Sequence, residues 1–303
     1  MRKKGLDDGV QGNYLLRMTH TKFPSGLSEI SSDYDLLLCD VWGVVHNGRA
    51  PFDEACEALI RFRGQGGRVV LITNAPVPSF QVMSYAERIG VPSAISDACV
   101  SSGDATREIL AGWVGRRIYI MGTDNDFEHD NFLYKGLDLE FGDEGSSDAV
   151  LCIGMRNPRE DHPESYRDEL ERLAGRELPM ICANPDIQVR VGDRLWWCAG
   201  ALAQIYEELG GEVIYPGKPH EAIYSAAFAR ANSMGEEITK ERTLVIGDSP
   251  KTDLEGGRRQ GIDALYVGTG LTVHQQGDFA DETRAMLNEH AALAKYAMPA
   301  LTW

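Results

Sequence analysis

Polar side chains follow several apolar runs of this 303-residue sequence, at the points where strands would end. They are Asp40, Thr73 with Asn74, Lys218 and Asp248. In an open parallel sheet, ligands bind just outside the carboxyl ends of the strands, so residues far apart in sequence can meet there. We therefore expect these side chains to share one site.

The residue types in this set favour phosphoryl transfer. Asp40, Asp248 and Asp253 offer the hard oxygen ligands that Mg²⁺ prefers, with water and a substrate phosphate completing its coordination. Lys218 brings a compact positive charge, and Thr73 with the backbone amides after Asp40 could hold phosphoryl oxygens. A carboxylate in such a site can also act as a nucleophile. Each residue type has a structural alternative, because Asp, Asn and Thr often cap helices or form turns after a strand.

Strand-like and helical patterns alternate over most of the chain. The apolar run LLLCDV (36–41) precedes the helical EACEALIRFRGQG (54–66), and RVVLITN (68–74) precedes a second helical pattern. This alternation predicts right-handed βαβ units and an α/β fold with a doubly wound parallel sheet. A second series of such runs between residues 117 and 186 could extend that sheet or form a separate unit.

The composition, with 43% hydrophobic and 25% charged residues, is that of a globular protein with one large or two smaller domains. The formal net charge of −16 repels polyanions, so we expect neither nucleic acid nor an anionic membrane surface as a partner. No apolar run reaches the roughly 18 residues of a membrane helix, and the start of the sequence lacks the apolar core of a secretory signal. These features predict a cytoplasmic protein in which residues 1–17 are a disordered extension and Met18 could be the natural start.

Four motifs, taken in order, resemble those of the haloacid dehalogenase-like superfamily. DVWGV (40–44) resembles the first motif, the strand end at Thr73 and Asn74 the second, Lys218 the third, and GDSPKTD (247–253) the fourth. The resemblance implies a Rossmann-like core that carries all four motifs. It also implies a phosphatase that uses Mg²⁺ and an aspartyl-phosphate intermediate.

Further segments are similar to subclass IIA of this superfamily, the group of N-acetylglucosamine-phosphatase-like and 4-nitrophenylphosphatase-like sugar phosphatases. They are HNGRAPFDEACEAL, VSSGDATREIL (100–110), ANPD (183–186), WCAGALAQIYEE (197–208) and YPGKPHEAIY (215–224). This resemblance implies a split core of residues 18–111 and 200–303, with an α/β cap inserted at residues 112–199. Caps of this type often take part in dimers, so a homodimer is one expected state.

The resemblance also implies a role for each residue of the set. Asp40 would be the nucleophile, and Lys218 would be the second catalytic residue beside it. Mg²⁺ would be held by three carboxylates and one backbone carbonyl, from Asp40, Asp248, Asp253 and Trp42. The substrate would be bound by Trp42, Gly43, Thr73, Asn74, Lys218, Asn184 and Asp186. For Asn184 and Asp186, which would face the leaving group, a structural role in a turn fits as well.

Trp42 stands where the family's phosphatases carry a second aspartate, which protonates the leaving oxygen and later activates water. An indole N–H can donate a hydrogen bond, but it neither delivers nor accepts a proton. Three explanations are open: the leaving group needs no proton, another residue such as His46 supplies it, or turnover is slow or lost. His46 could equally be a surface loop residue.

Three functions are compatible with these residues. The expected function is Mg²⁺-dependent hydrolysis of a small phosphorylated metabolite through an aspartyl-phosphate on Asp40. The first alternative is a phosphometabolite-binding protein with little turnover, because Trp42 replaces the general acid/base. The second is a dehalogenase-type hydrolase, since dehalogenases of this superfamily carry an aromatic residue at that position. Those dehalogenases work without Mg²⁺, and without a cation the carboxylates of Asp40, Asp248 and Asp253 would repel a carboxylate substrate.

Overall fold

The computed structural model describes residues 21–122, 133–191, 194–270 and 277–303. The expected extension 1–17 and the start at Met18 lie outside the described residues. The strands are β1 Leu36–Asp40, β2 Arg68–Thr73, β3 Ala98–Ser101, β4 Arg117–Met121, β5 Glu140–Phe141, β6 Ala149–Cys152, β7 Met180–Cys182, β8 Gln188–Val191, β9 Arg194–Trp197, β10 Val213–Ile214, β11 Thr243–Gly247, β12 Asp263–Val267 and β13 Tyr296–Met298. The α-helices are α1 Asp53–Gly64, α2 Ser79–Arg88, α3 Ser102–Ala111, α4 Arg167–Ala174, α5 Ala199–Glu208, α6 Glu221–Asn232, α7 Glu255–Gln260 and α8 Phe279–Glu289.

Six strands form one parallel sheet in the order β13-β12-β11-β1-β2-β3. The strand β1 lies at its centre and pairs with β2 on one side and β11 on the other. The chain order changes direction between these neighbours, and such a switch point is where open parallel sheets bind ligands. The predicted α/β fold with a parallel core sheet is therefore confirmed.

Helices cover both faces of this sheet, which explains why its strands are almost continuously apolar. Alternate residues of β1 point to opposite faces. Leu37 and Cys39 pack in one buried cluster with Phe62 of α1, whereas Leu38 packs in another with Tyr224 of α6. The two clusters fix the orientation of β1 and therefore the position of the polar residue at its end.

A second parallel sheet has the order β10-β7-β6-β4-β5, and β8 and β9 form an antiparallel hairpin beside it. Its last strand comes from Val213–Ile214, beyond residue 199 where the cap was predicted to end. The strand β10 belongs there because it pairs with β7, and α5 packs its buried face, including Leu202, into the same apolar cluster. The exact division into two domains stays a prediction.

Local signals account for individual helix ends. Ser101 begins α3 by accepting a hydrogen bond from the amide of Asp104, whose carboxylate accepts one from the amide of Ser101. This reciprocal arrangement satisfies two amide groups that the first turn of a helix leaves unpaired. Among the helices in the described ranges, none has the length and apolar character needed to cross a membrane.

Candidate active site

The ends of three neighbouring strands place the predicted residues at one edge of the central sheet. Asp40 is the last residue of β1, Thr73 is the last residue of β2, and Asp248 directly follows β11. Neighbouring strands lie about 4.8 Å apart, so residues at their carboxyl ends are necessarily close. Asp40, Thr73 and Asp248 are also buried.

Three carboxylates meet at this edge, and we call Asp40, Asp248 and Asp253 the acidic triad. Their ligand oxygens lie within 4.8 Å of one another, and all three residues are buried. Asp253 reaches the site from a π-helical turn, Pro250–Leu254, that begins shortly after Asp248. This is a set of hard oxygen donors of the kind that binds a divalent cation.

Two glycines leave room for the Asp248 carboxylate. A Cβ atom on Gly270 would lie 1.6 Å from Asp248 Oδ2, and one on Gly43 would lie 2.6 Å from it. Gly43 also has a φ of +92°, which side chains other than glycine rarely adopt. Its amide donates to the carbonyl of His46 at 2.9 Å, so Gly43 shapes the loop after β1. Its predicted role in phosphate binding stays a prediction.

Lys218 joins two members of the acidic triad. Its Nζ donates to Asp40 Oδ1 at 2.5 Å and to Asp253 Oδ1 at 2.8 Å. Asn74 fixes the lysine backbone on both sides, because its Oδ1 accepts from the Lys218 amide at 2.7 Å and its Nδ2 donates to the Lys218 carbonyl at 3.1 Å. The side chain of Asn74 therefore orients Lys218.

Burial and the neighbouring charges shift the pKa values of Asp40 and Lys218. Burial raises the pKa of Asp40 well above its usual value; Asp253 and Asp248 add to the rise, while Lys218 opposes it. Burial disfavours the charged form of Lys218, but Asp253 and Asp40 outweigh it and raise the pKa of the lysine. One ammonium faces three carboxylates, so a divalent cation would compensate the remaining charge. The donor chemistry and the charge of the site therefore both fit Mg²⁺.

The second predicted group, at residues 183–186, lies against this cluster. Asp186 Oδ1 accepts from Asn74 Nδ2 at 2.9 Å, which connects residue 186 to the end of β2. Burial raises the pKa of Asp186, although Lys218 and the hydrogen bond from Asn74 oppose the rise. Asn184 Oδ1 accepts from the amide of Asp186 at 3.1 Å. This contact is the hydrogen bond of a turn, and substrate binding by Asn184 stays a prediction.

The indole of Trp42 contacts the hairpin β8–β9. Its indole Nε1 donates to the backbone carbonyl of Arg190 at 3.0 Å. The ring lies over Gly48, where a Cβ atom would be 2.2 Å from the indole Cη2, and its centre is 5.2 Å from the His46 ring. The one polar hydrogen of the side chain is therefore used in a structural hydrogen bond.

His46 is buried, with an exposed fraction of 2%, so the expectation of a surface loop residue is wrong. Its Nδ1 accepts a hydrogen bond from the amide of Gly48 at 3.1 Å, and its ring contacts Tyr85. Burial lowers the pKa of His46 to about 4, so the imidazole is neutral near pH 7. A neutral imidazole is a weak proton donor, which argues against His46 as the missing acid.

Two cavities adjoin the acidic triad. One of about 440 Å³ is lined by Trp42, Thr73 and Tyr85, and another of about 580 Å³ by Asp186, Arg190 and residues that follow β11. Clefts of this size accommodate small metabolites. Arg190 could not be singled out from the sequence, because the hairpin that carries it has no motif, although two nearby tryptophans in RLWW could have indicated a strand.

Comparisons with known proteins agree with this geometry. The model of the haloacid dehalogenase-like hydrolases matches residues 37–130, and a related hydrolase model matches residues 215–292. The chain is 26% identical to the ribonucleotide monophosphatase NagD of Escherichia coli K12, over 78% of this chain and 88% of NagD. It resembles the structure of a glycerol phosphate phosphatase from Mycobacterium tuberculosis in complex with magnesium, with 25% identity and a TM-score of 0.60, over 84% of this chain and 71% of that one.

A solved structure from Brucella suis 1330, a hydrolase of the haloacid dehalogenase-like family, is 39% identical to the chain. The similarity covers 92% of this chain and 100% of that one, with a TM-score of 0.81. At this identity and coverage, the fold, the order of the motifs and the acidic triad indicate common descent. The chain therefore belongs to the haloacid dehalogenase-like family, in the subfamily that includes NagD.

Proposed function

We propose that the chain hydrolyses a small phosphorylated metabolite with Mg²⁺ and with Asp40 as the nucleophile. The observation that carries this proposal is the contact of Lys218 Nζ with both Asp40 and Asp253 inside the acidic triad. The enzyme class is a phosphomonoesterase of the haloacid dehalogenase type. Curated relatives that act on ribonucleotides and D-glycerol 3-phosphate support a small phosphorylated substrate.

Each residue then has a defined task. One Asp40 oxygen attacks phosphorus, the bond to the leaving oxygen breaks, and water later cleaves the aspartyl-phosphate. Lys218 holds the Asp40 carboxylate in place and offsets the charge of the phosphoryl oxygens. The Thr73 hydroxyl, which accepts from the Ala75 amide at 3.3 Å, keeps its own proton to donate to a phosphoryl oxygen.

When bound, Mg²⁺ would supply positive charge that neutralises the phosphoryl oxygens and the carboxylates around them. Its protein ligands would be Asp40, Asp248 and Asp253, together with the backbone carbonyl of Trp42. The buried position of the acidic triad favours this role, because three clustered carboxylates without a cation repel one another.

We further propose that the natural leaving group departs without a proton. Trp42 uses its N–H on the Arg190 carbonyl, and His46 is neutral and has its Nδ1 engaged by Gly48. General acid catalysis is typically worth about 10² to 10⁴-fold in rate. Acyl phosphates and activated aryl esters lose little from its absence, whereas alkyl phosphates lose most of that factor.

One alternative keeps the site but not the turnover. A phosphometabolite-binding protein would need the acidic triad and Lys218 but no general acid, and the use of Trp42 as a contact to the hairpin is compatible with it. The dehalogenase alternative is disfavoured by the acidic triad, because without a cation the triad would repel a carboxylate substrate.

The test is phosphate release with Mg²⁺ from esters graded by leaving group, from acetyl phosphate and 4-nitrophenyl phosphate to alkyl and sugar phosphates. We expect the rate to fall steeply along this series and to disappear in Asp40→Asn and in EDTA. A flat profile would show that another residue donates the proton. If no ester released phosphate above the Asp40→Asn background, the binding-protein alternative would replace the proposed function.

A further inference from the structure

The cavity of about 580 Å³ between the hairpin β8–β9 and the turn after β11 is lined by more cationic than anionic side chains, although the protein as a whole is acidic. Three cationic side chains, Arg190, Lys251 and Arg259, line it, although the chain has a formal net charge of −16. Asp186 and Glu207 are the carboxylates in its lining. We call this space the cationic cavity.

Both of these carboxylates already have hydrogen-bonding partners. Asp186 accepts from Asn74 at 2.9 Å, and Glu207 accepts from the hydroxyl of Tyr215 at 3.0 Å. Arg259 donates to Glu255 at 2.8 Å. In the described part of the chain, neither the Arg190 guanidinium nor the Lys251 ammonium has a hydrogen-bonding partner.

Arg190 is the clearest case of a cationic side chain in this cavity whose donors lack acceptors among the described residues. Its Nε is buried and has no hydrogen-bond acceptor among the described residues. A buried donor without a partner costs free energy, and native structures pair nearly all such groups. The backbone of the same residue is held by Trp42, so the guanidinium is carried into the cavity by a strand that is fixed to the loop after Asp40.

The cationic cavity adjoins the phosphoryl site, because Ser249 and Thr252 in its lining lie between Asp248 and Asp253 in the chain. Asp186 lines the cavity and is bonded to Asn74, which also holds the backbone of Lys218, the lysine on Asp40. A ligand with its phosphoryl group on Asp40 can therefore extend past Asp186 toward Arg190. The other adjoining cavity has Arg88 in its lining, and that guanidinium already stacks on Tyr85 at 5.0 Å.

We propose that the cationic cavity binds a second anionic group of the substrate, a carboxylate or a second phosphate, with Arg190 as its principal partner and Lys251 and Arg259 at its rim. The proposal rests on the proposed function, since it names the substrate class of the same site. It makes Arg190 a specificity-determining residue. Guanidinium groups suit this role because their planar donors match carboxylate and phosphate oxygens in pairs.

A binding measurement on the Asp40→Asn protein, by calorimetry with Mg²⁺, tests the proposal without requiring turnover. The ligands are glycerol 3-phosphate and 3-phosphoglycerate, which have the same number of carbon atoms. 3-Phosphoglycerate carries a carboxylate where glycerol 3-phosphate carries a hydroxymethyl group. We expect 3-phosphoglycerate to bind at least about tenfold more tightly. Fructose 6-phosphate and fructose 1,6-bisphosphate form a second pair that distinguishes a carboxylate from a second phosphate.

The variant Arg190→Gln should reduce the preference for the anionic ligand to within about twofold, whereas Arg190→Lys should retain part of it. Arg194→Gln is the matched control, because Arg194 is exposed on the neighbouring strand of the same hairpin and does not line the cavity. Equal affinities within both pairs, absence of binding, or a preference that survives Arg190→Gln would each overturn the proposal.

Turnover of the unaltered enzyme separates this proposal from the proposed function. Hydrolysis of neutral and anionic esters at equal efficiency would overturn the second anion site and leave the phosphatase intact. Tight, Arg190-dependent binding without phosphate release from any ester would support the anion site and overturn the phosphatase.

Discussion

The indole Nε1 of Trp42 donates to the backbone carbonyl of Arg190 at 3.0 Å, across 148 residues of sequence. This bond ties the loop after the proposed nucleophile to the hairpin that lines the cationic cavity. The position that supplies the general acid in related phosphatases therefore has a structural task here. We infer that Trp42 holds the hairpin, and with it Arg190, at a set distance from the proposed phosphoryl site.

Replacement of Trp42 by aspartate should restore a proton donor beside Asp40. We expect Trp42→Asp to raise the hydrolysis of alkyl phosphates relative to 4-nitrophenyl phosphate by about 10²-fold, the lower end of general acid catalysis. Steady-state kinetics over the graded esters measures this ratio. Trp42→Asn is the control, because it has similar size and no titratable proton. An equal ratio in the two variants would argue against a role of this position in proton transfer.

The His46 imidazole should titrate with a pKa of about 4. Because the folded protein holds this ring neutral while the unfolded chain binds a proton below about pH 6.5, stability is fully present above that pH. It falls as the pH decreases from 6.5 toward 4, by up to about 3 kcal/mol. NMR titration of the ring and urea unfolding at pH 7.5, 5 and 4 measure both effects.

The variant His46→Asn identifies the resonance and should flatten this part of the pH dependence. A ring that titrated near its ordinary pKa would contradict the burial of His46. Unchanged pH dependence in His46→Asn would show that other groups, such as the acidic triad, cause the loss of stability.

Removal of the Lys218 ammonium should leave the acidic triad without its cationic partner. Breaking a buried ion pair on one side typically costs about 3 to 5 kcal/mol. We expect Lys218→Met to lower the free energy of unfolding by an amount of this order and to abolish phosphate release. Because a divalent cation would replace part of the lost charge, the deficit should shrink when MgCl₂ is added. Thermal unfolding with and without MgCl₂ measures this, and Lys240→Met, at an exposed lysine, is the control.

Gly270 should be intolerant of any side chain. The Cβ atom of alanine would lie 1.6 Å from Asp248 Oδ2, so the carboxylate must leave its place in the acidic triad. We expect Gly270→Ala to weaken Mg²⁺ binding at least about tenfold by the loss or displacement of one ligand. Calorimetric titration with MgCl₂ measures the affinity. Gly154→Ala is the control, because a Cβ there meets nothing within 4 Å. Equal affinities would exclude Asp248 as a ligand.

The strand-end residues could be predicted from sequence because each follows a nearly continuous apolar run, and parallel strands bring such ends together. The partner of Trp42 could not, since the hairpin strand QVRV is only four residues long and its pairing with RLWW depends on tertiary contacts. Burial of His46 was missed for a similar reason: a polar loop residue gives no pattern, and the aromatic rings of Trp42 and Tyr85 that cover it come from different segments.

The cap boundary shows a third limit. Residues after 199 were assigned to the core from the family resemblance, and β10 pairs with β7 in the second sheet. A two-residue strand carries too little periodicity to indicate its sheet. Which sheet this strand joins depends on which sheet has a free edge beside it. The sequence of the strand itself does not show this.

The pairing of Leu36 with Thr243 in the central sheet also has a consequence for synthesis. A ribosome that adds about 5 to 20 residues per second needs roughly 10 to 40 s to travel between these two positions. During that time the nascent β1 has one edge without its final neighbour, and such an edge can pair with other chains. Asp40 therefore leaves the ribosome well before Asp248 and Asp253, and one edge of β1 lacks its final neighbour until the last fifth of the chain is being made.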